Sequence, residues 1–176
     1  MIEPVVKAIP TAAGSAVARS VGMLYADAPT IYVYEDVLGK MLAYFEQDLR
    51  REQGGFLVGG LHVDRGLYVE VRGFLPATGT QARATSLTFT HATWAAMNRR
   101  VEEEFPGELV LGWAHTHPGL GVFLSSYDLF IHRHFFSQPW QIALVADPRS
   151  NQLGFFQWHR EQVVDCGFVC VGRDAR

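Results

Sequence analysis

The chain has 176 residues, 48% of them hydrophobic and 12% aromatic, with a net charge of −3 at pH 7. That length and composition describe one globular domain with a sizeable core and exclude a disordered chain. Mild acidity without a block of like charge leaves nucleic acid unimplied as a partner; two cysteines cannot form a disulfide framework and indicate a reducing compartment, the cytoplasm by default; no apolar run approaches a bilayer span, so no membrane partner is expected.

Residues 1–29 are rich in Ala, Pro and Gly without a clear period and read as an extended or flexible arm. The stretch Met1–Lys7 has no basic segment ahead of an apolar one, so no secretory signal is expected. Thr30–Tyr34 is a short β-rich run. Val37, Leu38, Met41, Phe45 and Leu49 then recur at helical spacing, which predicts an amphipathic helix from Glu35 to about Arg51. Gly55–Val63 and Leu67–Leu75 read as strands joined by an Asp64-Arg65-Gly66 hairpin turn. A polar loop, Pro76–Thr85, leads to the strand-like Ser86–Thr90. Ala92–Glu104 follows as a helix with Trp94, Met97 and Val101 on one face, ended by Phe105-Pro106-Gly107. Leu109–Ala114 is a buried strand and Asp128–Phe136 a helical pattern. Trp140–Ala146 is a further buried strand, Asp147–Asn151 a turn, and Leu153–Trp158 and Val163–Val171 are two strands joined around Arg160. The sum is a mixed central sheet of about six or seven strands flanked by helices, an α/β or α+β single domain.

The densest chemistry lies between Gly112 and Asp128. His115 and His117 stand two apart at the end of a strand, so both imidazoles point to one face and can serve one ion. Pro118 to Gly121 breaks the strand. Asp128, at the start of the next helix, can bring a carboxylate back over the strand end. Two histidines and a carboxylate leave a fourth position open, the arrangement of a catalytic rather than a structural zinc. Ser125-x-x-Asp128 is equally a helix-capping pattern, serine at the N-cap and an acid three residues on. A hydrolytic zinc site also needs a base. Glu52 is the candidate, where the first helix stops and Gly54-Gly55 opens a strand; the other reading makes it a solvated last-turn residue beside Arg50 and Arg51.

Glu52-Gln-Gly-Gly-Phe-Leu-Val-Gly59, followed by Gly112-Trp-Ala-His-Thr-His-Pro-Gly-Leu-Gly-Val-Phe-Leu-Ser-Ser-Tyr-Asp128, resembles the JAMM, or MPN+, family of zinc metallopeptidases, whose pattern is an upstream Glu and then H-x-H-x7-S-x2-D. Every position of that pattern is present, and the similarity spans about residues 30–160. The Pro-Gly-x-Gly and Leu-Ser-Ser elements look like the proteasome-lid and signalosome deubiquitinase branch. The resemblance implies a catalytic domain over 30–176 with an MPN/JAB-like, cytidine-deaminase-like fold. It implies one zinc ion per chain on His115, His117 and Asp128, Glu52 as general acid/base, and Ser125 as a stabiliser of the tetrahedral oxyanion. The implied substrate is a ubiquitin-like protein or its conjugates, cut after the C-terminal glycine, with another MPN-type chain or a second copy as a conceivable partner. A small-molecule amide hydrolase and a non-catalytic scaffold are the alternatives. Gly119, Leu120, Gly121 and Phe123 could contact the substrate tail, with Pro76–Thr90 as a second wall; Phe123 could instead plug the core under the motif helix.

Other residues carry weaker signals. His132 and His134 face different sides of a helix and suit one ion poorly, so they read as surface or core-edge residues. Cys166 and Cys170 read as buried thiols of one strand. His62, His91 and His159 show no identifiable partners, and Trp113 is most simply a core aromatic.

Overall fold

A computed structural model describes residues 2–11, 17–77 and 91–172, without the side chains of His91 and Thr93. Along these residues run β1 (Val5–Val6), β2 (Ala18–Val21), β3 (Thr30–Tyr34), α1 (Glu35–Phe45), β4 (Gly54–Val63), β5 (Leu67–Pro76), α2 (His91–Glu104), β6 (Leu109–Thr116), α3 (Ser126–Phe135), β7 (Ile142–Asp147), β8 (Gln152–His159), β9 (Gln162–Cys166) and β10 (Phe168–Val171). The strands form one mixed sheet in the order β2-β10-β3-β5-β4-β6-β7-β8-β9, with β1 added in parallel to the end of β4.

The central strands are apolar on both faces because both faces are covered. From β4, Leu57 and Leu61 pack toward α1 through Val37, Met41 and Phe45. Their neighbours Phe56 and Val58 pack on the other face with Met97 and Val101 of α2 and with Ile131 and Phe136 of the α3 segment. The period of two in the strands and the helical spacing in α1 thus meet at one core. Gly112 fixes how tightly β6 and β7 approach: a Cβ there would stand 1.7 Å from the Ile142 carbonyl oxygen.

The observed sheet has ten strands, more than the sequence reading gave. The N-terminal arm supplies two of them: β1 pairs with His62 and Val63, and β2 pairs antiparallel with β10. Both are short and exposed, so they carry no hydrophobic alternation to read. The predicted single strand Val163–Val171 is two, broken at Gly167, whose N–H turns aside to the Met23 carbonyl. The first helix stops at Phe45, short of Arg51, because the Asp48 carboxylate accepts the Arg50 and Arg51 amides and diverts the backbone. The expected strand Ser86–Thr90 lies outside the described residues. No helix among them is long and apolar enough to cross a membrane.

Toward the end of β4 remote from the motif, the fully buried Glu70 carboxylate collects the Lys7 ammonium, the Tyr34 hydroxyl, the Arg72 guanidinium at 2.6 Å and His62 Nε2 at 3.2 Å. Arg72 also pairs bidentately with Glu108. Burial alone would raise the Glu70 carboxyl, but these partners hold it below its ordinary value.

Candidate metal centre and active site

The β4–β6 register sets the site. Gly54 lies opposite His115, and the Gln53 amide donates to the Thr116 hydroxyl while the Thr116 amide donates to the Gln53 carbonyl, both at 2.9 Å. On the other side β6 pairs in parallel with β7, and the His117 amide prolongs that pairing by donating to the Ala146 carbonyl at 2.8 Å. Backbone pairing therefore holds both histidines in extended geometry, on one face.

Their Nε2 atoms lie 3.1 Å apart. Asp128 Oδ1 lies 3.4 Å from His115 Nε2, and Asp128 Oδ2 lies 3.4 Å from His117 Nε2. All three side chains are buried, and their ligand atoms fit a group that could hold one metal ion. The 3.1 Å between the two imidazole nitrogens is close to the about 3.3 Å between donors of a tetrahedral zinc, and each nitrogen faces a different oxygen of the Asp128 carboxylate. Both Nδ1 atoms point away and find no hydrogen-bond partner among the described residues. Burial would raise the Asp128 carboxyl; hydrogen bonds from His115 and His117, the charge of His115 and the bond to Ser125 hold it instead well below the carboxylate range.

The two readings of Ser125-x-x-Asp128 hold together. Ser125 is the N-cap of α3: its Oγ accepts the Asp128 amide at 3.1 Å, and Asp128 Oδ2 accepts the Ser125 amide at 2.7 Å. The capping box thus fixes the carboxylate that faces the histidines. Oγ is used there as an acceptor, and the hydroxyl also helps to lower the Asp128 pKa through a side-chain hydrogen bond.

Glu52 does not end the first helix. It follows the Asp48 turn and stands two residues before β4, half-buried. Burial pushes its carboxyl above the ordinary value, His117 and His115 pull it down, and Asp128 pushes it up. Glu52 therefore shares the field of the three ligand candidates, and the solvated-helix reading fails.

The loop after His117 is shaped by a residue the sequence reading missed. The buried Asp147 carboxylate, at the end of β7, accepts the Gly119 amide at 2.8 Å, the Gly121 amide at 3.1 Å and the Arg149 amide at 3.0 Å. These bonds, the Gly119 bond foremost, lower its pKa to about 2. Gly119 and Gly121 take φ of +77° and +88°, where a side chain would be strained. Arg149 spans from this loop to the Leu49 carbonyl at 2.8 Å, tying the loop to the segment that carries Glu52. Leu120 is exposed, and Phe123 is 43% exposed with its ring 4.7 Å from the His117 ring, so Phe123 is not a core plug. The signal for Asp147 was an acid at the end of a buried strand; that β7 neighbours β6 was needed to use it.

Several histidines find partners the sequence did not show. His132 is fully buried, not at a surface or core edge, and accepts the Trp113 indole N–H at Nδ1 over 3.1 Å. Burial lowers its pKa to about 4. Trp113 is a core aromatic as expected, but its ring also lies flat on His115. His62 joins the Glu70 cluster, and His159 pairs with Asp27 at 2.8 Å and stacks on Tyr25. The side chain of His91 lies outside the described residues. Cys166 and Cys170 sit on separate strands, Cys170 buried and Cys166 half-buried; burial pushes the Cys166 thiol up to about 12.

Residues 27–138 match the family described as JAB1/Mov34/MPN/PAD-1 ubiquitin protease. The chain is 34% identical over 97 residues to the NAD(+) hydrolase TcpA of Theionarchaea archaeon (strain DG-70-1), covering 54% of this chain and 26% of that protein. It is 26% identical over 148 residues to the ubiquitin carboxyl-terminal hydrolase RPN11 of Saccharomyces cerevisiae, covering 84% of this chain and 48% of that protein. The fold is similar to the solution structure of protein DSY2949 from Desulfitobacterium hafniense, with a TM-score of 0.59 at 19% identity over 83% of this chain and 94% of that one. The matched segments make up 26% of the first relative and 48% of the second, so this chain spans at most about half of either.

Proposed function

The chain belongs to the JAB1/Mov34/MPN/PAD-1 ubiquitin protease family, and from that premise we propose that it is a zinc-dependent metallopeptidase that hydrolyses the peptide or isopeptide bond after the C-terminal glycine of a ubiquitin-like protein. The observation that carries the reading is the convergence of His115, His117 and Asp128 within reach of one ion, with the half-buried Glu52 in the electrostatic field of all three.

A zinc ion with three protein ligands acts as a Lewis acid with an open position, able to make water nucleophilic near neutral pH and to polarise a carbonyl. His115, His117 and Asp128 would hold that ion, one per chain. The Glu52 carboxylate takes a proton from the attacking water and returns it to the leaving nitrogen. The Ser125 hydroxyl donates to the scissile carbonyl oxygen as charge gathers there, a contribution commonly worth about 3–4 kcal/mol for a well-placed donor. At the mouth, Leu120 and Phe123 offer apolar contact to an extended tail, and Gly119 and Gly121 leave room for its narrow glycine end. The expected second wall, Pro76–Thr90, lies outside the described residues from position 78 onward. A purely scaffolding domain, pairing with another MPN-type chain or with itself, has no use for a complete ligand set, which is what this chain keeps.

The test is a panel of ubiquitin-like proteins joined through the C-terminal glycine to a reporter amine. Wild type should cleave at least one member, chelation should abolish cleavage, and His115→Ala with His117→Ala should remove zinc found by elemental analysis. Replacing the terminal glycine with a bulky residue should block turnover. Zinc-loaded protein that cuts no member and instead forms a stable complex with another MPN-type chain would establish the scaffold reading.

A further inference from the structure

We propose that His132 and Trp113 form a positioning pair that sets the plane of the His115 imidazole, so that His132 tunes metal affinity without touching the metal centre. The proposal rests on reading His115, His117 and Asp128 as that centre.

A metal-ligating histidine is usually aimed by a hydrogen bond from its other ring nitrogen to a carboxylate or carbonyl. His115 has no such bond among the described residues: its Nδ1 is buried and unpartnered. What touches the ring instead is the Trp113 indole, parallel to within 6° at a centroid distance of 4.3 Å. The orientation of His115 is therefore inherited from the indole. The indole is pinned in turn, since its Nε1 donates to His132 Nδ1 at 3.1 Å. Indole N–H is a donor only, so His132 must accept, which requires the neutral ring with its proton on Nε2.

The placement follows from two periodicities. Trp113 precedes His115 by two residues on β6 and shares its face. His132 follows Asp128 by four on α3 and shares its side of the helix. The strand end contributes two ligand candidates and Trp113, and the helix contributes the third and His132. His132 is also costly to keep as mere filling. It is fully buried, and its Nε2 has no hydrogen-bond partner among the described residues. An apolar side chain of similar size would fill the space without stranding an N–H. A packing role alone does not account for that choice; an acceptor for Trp113 does.

The experiment measures zinc affinity of the full chain by competition with a chromophoric chelator, independent of any substrate. His132→Leu and Trp113→Phe should each weaken zinc about 10- to 100-fold, the usual range for loss of an outer partner of a ligand. The double variant should be no weaker than the worse single one, because both break one bond. His132→Gln, which restores an acceptor, should recover most of the affinity, and the Trp113 indole N–H resonance should move in His132→Leu and return toward its place in His132→Gln. If His132→Leu fails to fold, Trp113→Phe decides, since it keeps the stacked ring and loses only the donor. Variants that bind zinc within about twofold of wild type, or losses that multiply in the double variant, would overturn the pair while leaving the metal centre standing. Wild type that binds no zinc would overturn the metal centre and this proposal together.

Discussion

Ser125 caps α3 in this structure and is proposed to serve the reaction as well, and a short series of substitutions separates the two roles. As N-cap it gives Oγ to the Asp128 amide at 3.1 Å; as proposed above, it also gives its proton to the substrate carbonyl. Ser125→Ala removes both. Loss of a serine cap costs about 1 kcal/mol, which for a domain of this size is about 2–4 °C in Tm. Against a total stability of roughly 5–15 kcal/mol, that leaves nearly every molecule folded. Loss of an oxyanion donor costs about 10²–10³ in kcat, far more than the unfolded fraction could explain. Ser125→Gly is the discriminating variant, because glycine at an N-cap costs only about a few tenths of a kcal/mol. If the hydroxyl serves the reaction, alanine and glycine variants lose kcat equally despite unequal Tm, and Ser125→Thr keeps most of it. The assay is turnover of a cleavable ubiquitin-like fusion, with Tm and zinc content measured on the same samples to show that Asp128 has not moved off the metal. A Ser125→Gly variant with full zinc and near wild-type turnover would refute the oxyanion role and leave Ser125 a cap.

Three further outcomes are expected. Glu52→Gln should retain zinc and fold while losing about 10²–10⁴ in rate, and the acidic limb of the wild-type kcat/KM profile should vanish in the variant. Asp147 has a folded pKa of about 2 against an ordinary 3.8, so the unfolded chain binds the proton more readily; the stability Asp147 contributes is present above its unfolded pKa and lost as pH falls through about 2. Acid unfolding of Asp147→Asn, followed by circular dichroism, should therefore depend less on pH in that window than wild type does. Phe123→Ala should raise KM for a ubiquitin-like substrate several-fold with zinc content unchanged, the result expected of a wall rather than a ligand.

The convergence of His115, His117 and Asp128 was legible because these residues are local. His115 and His117 need only the period of a strand, and Ser125-x-x-Asp128 only the start of a helix. The strands and helices with strong periodicity were legible for the same reason. What stayed hidden depends on which strands become neighbours. Asp147 means little until β7 lies beside β6, and Lys7 until β1 reaches the end of β4. His132 and Trp113 stand 19 positions apart in the chain, and their bond is visible only in space. The break between β9 and β10 comes from the approach of Met23, some 140 residues upstream, which no window of local pattern contains. The early end of α1 was the one local miss: Asp48 offered a turn that hydrophobic spacing through Leu49 concealed.

The segment that matches the family, 27–138, is smaller than the piece of chain that could be lifted out and expected to keep its shape. Excising it would discard β7, and with it both the Ala146 carbonyl that receives the His117 amide and the Asp147 carboxylate that secures the following loop. It would also discard Lys7, withdrawing a cation from a carboxylate that has no access to water. A portable unit for grafting or domain fusion therefore has to run at least from Lys7 through Val171, and a fusion joint belongs outside those bounds rather than at the edges where recognisable similarity fades.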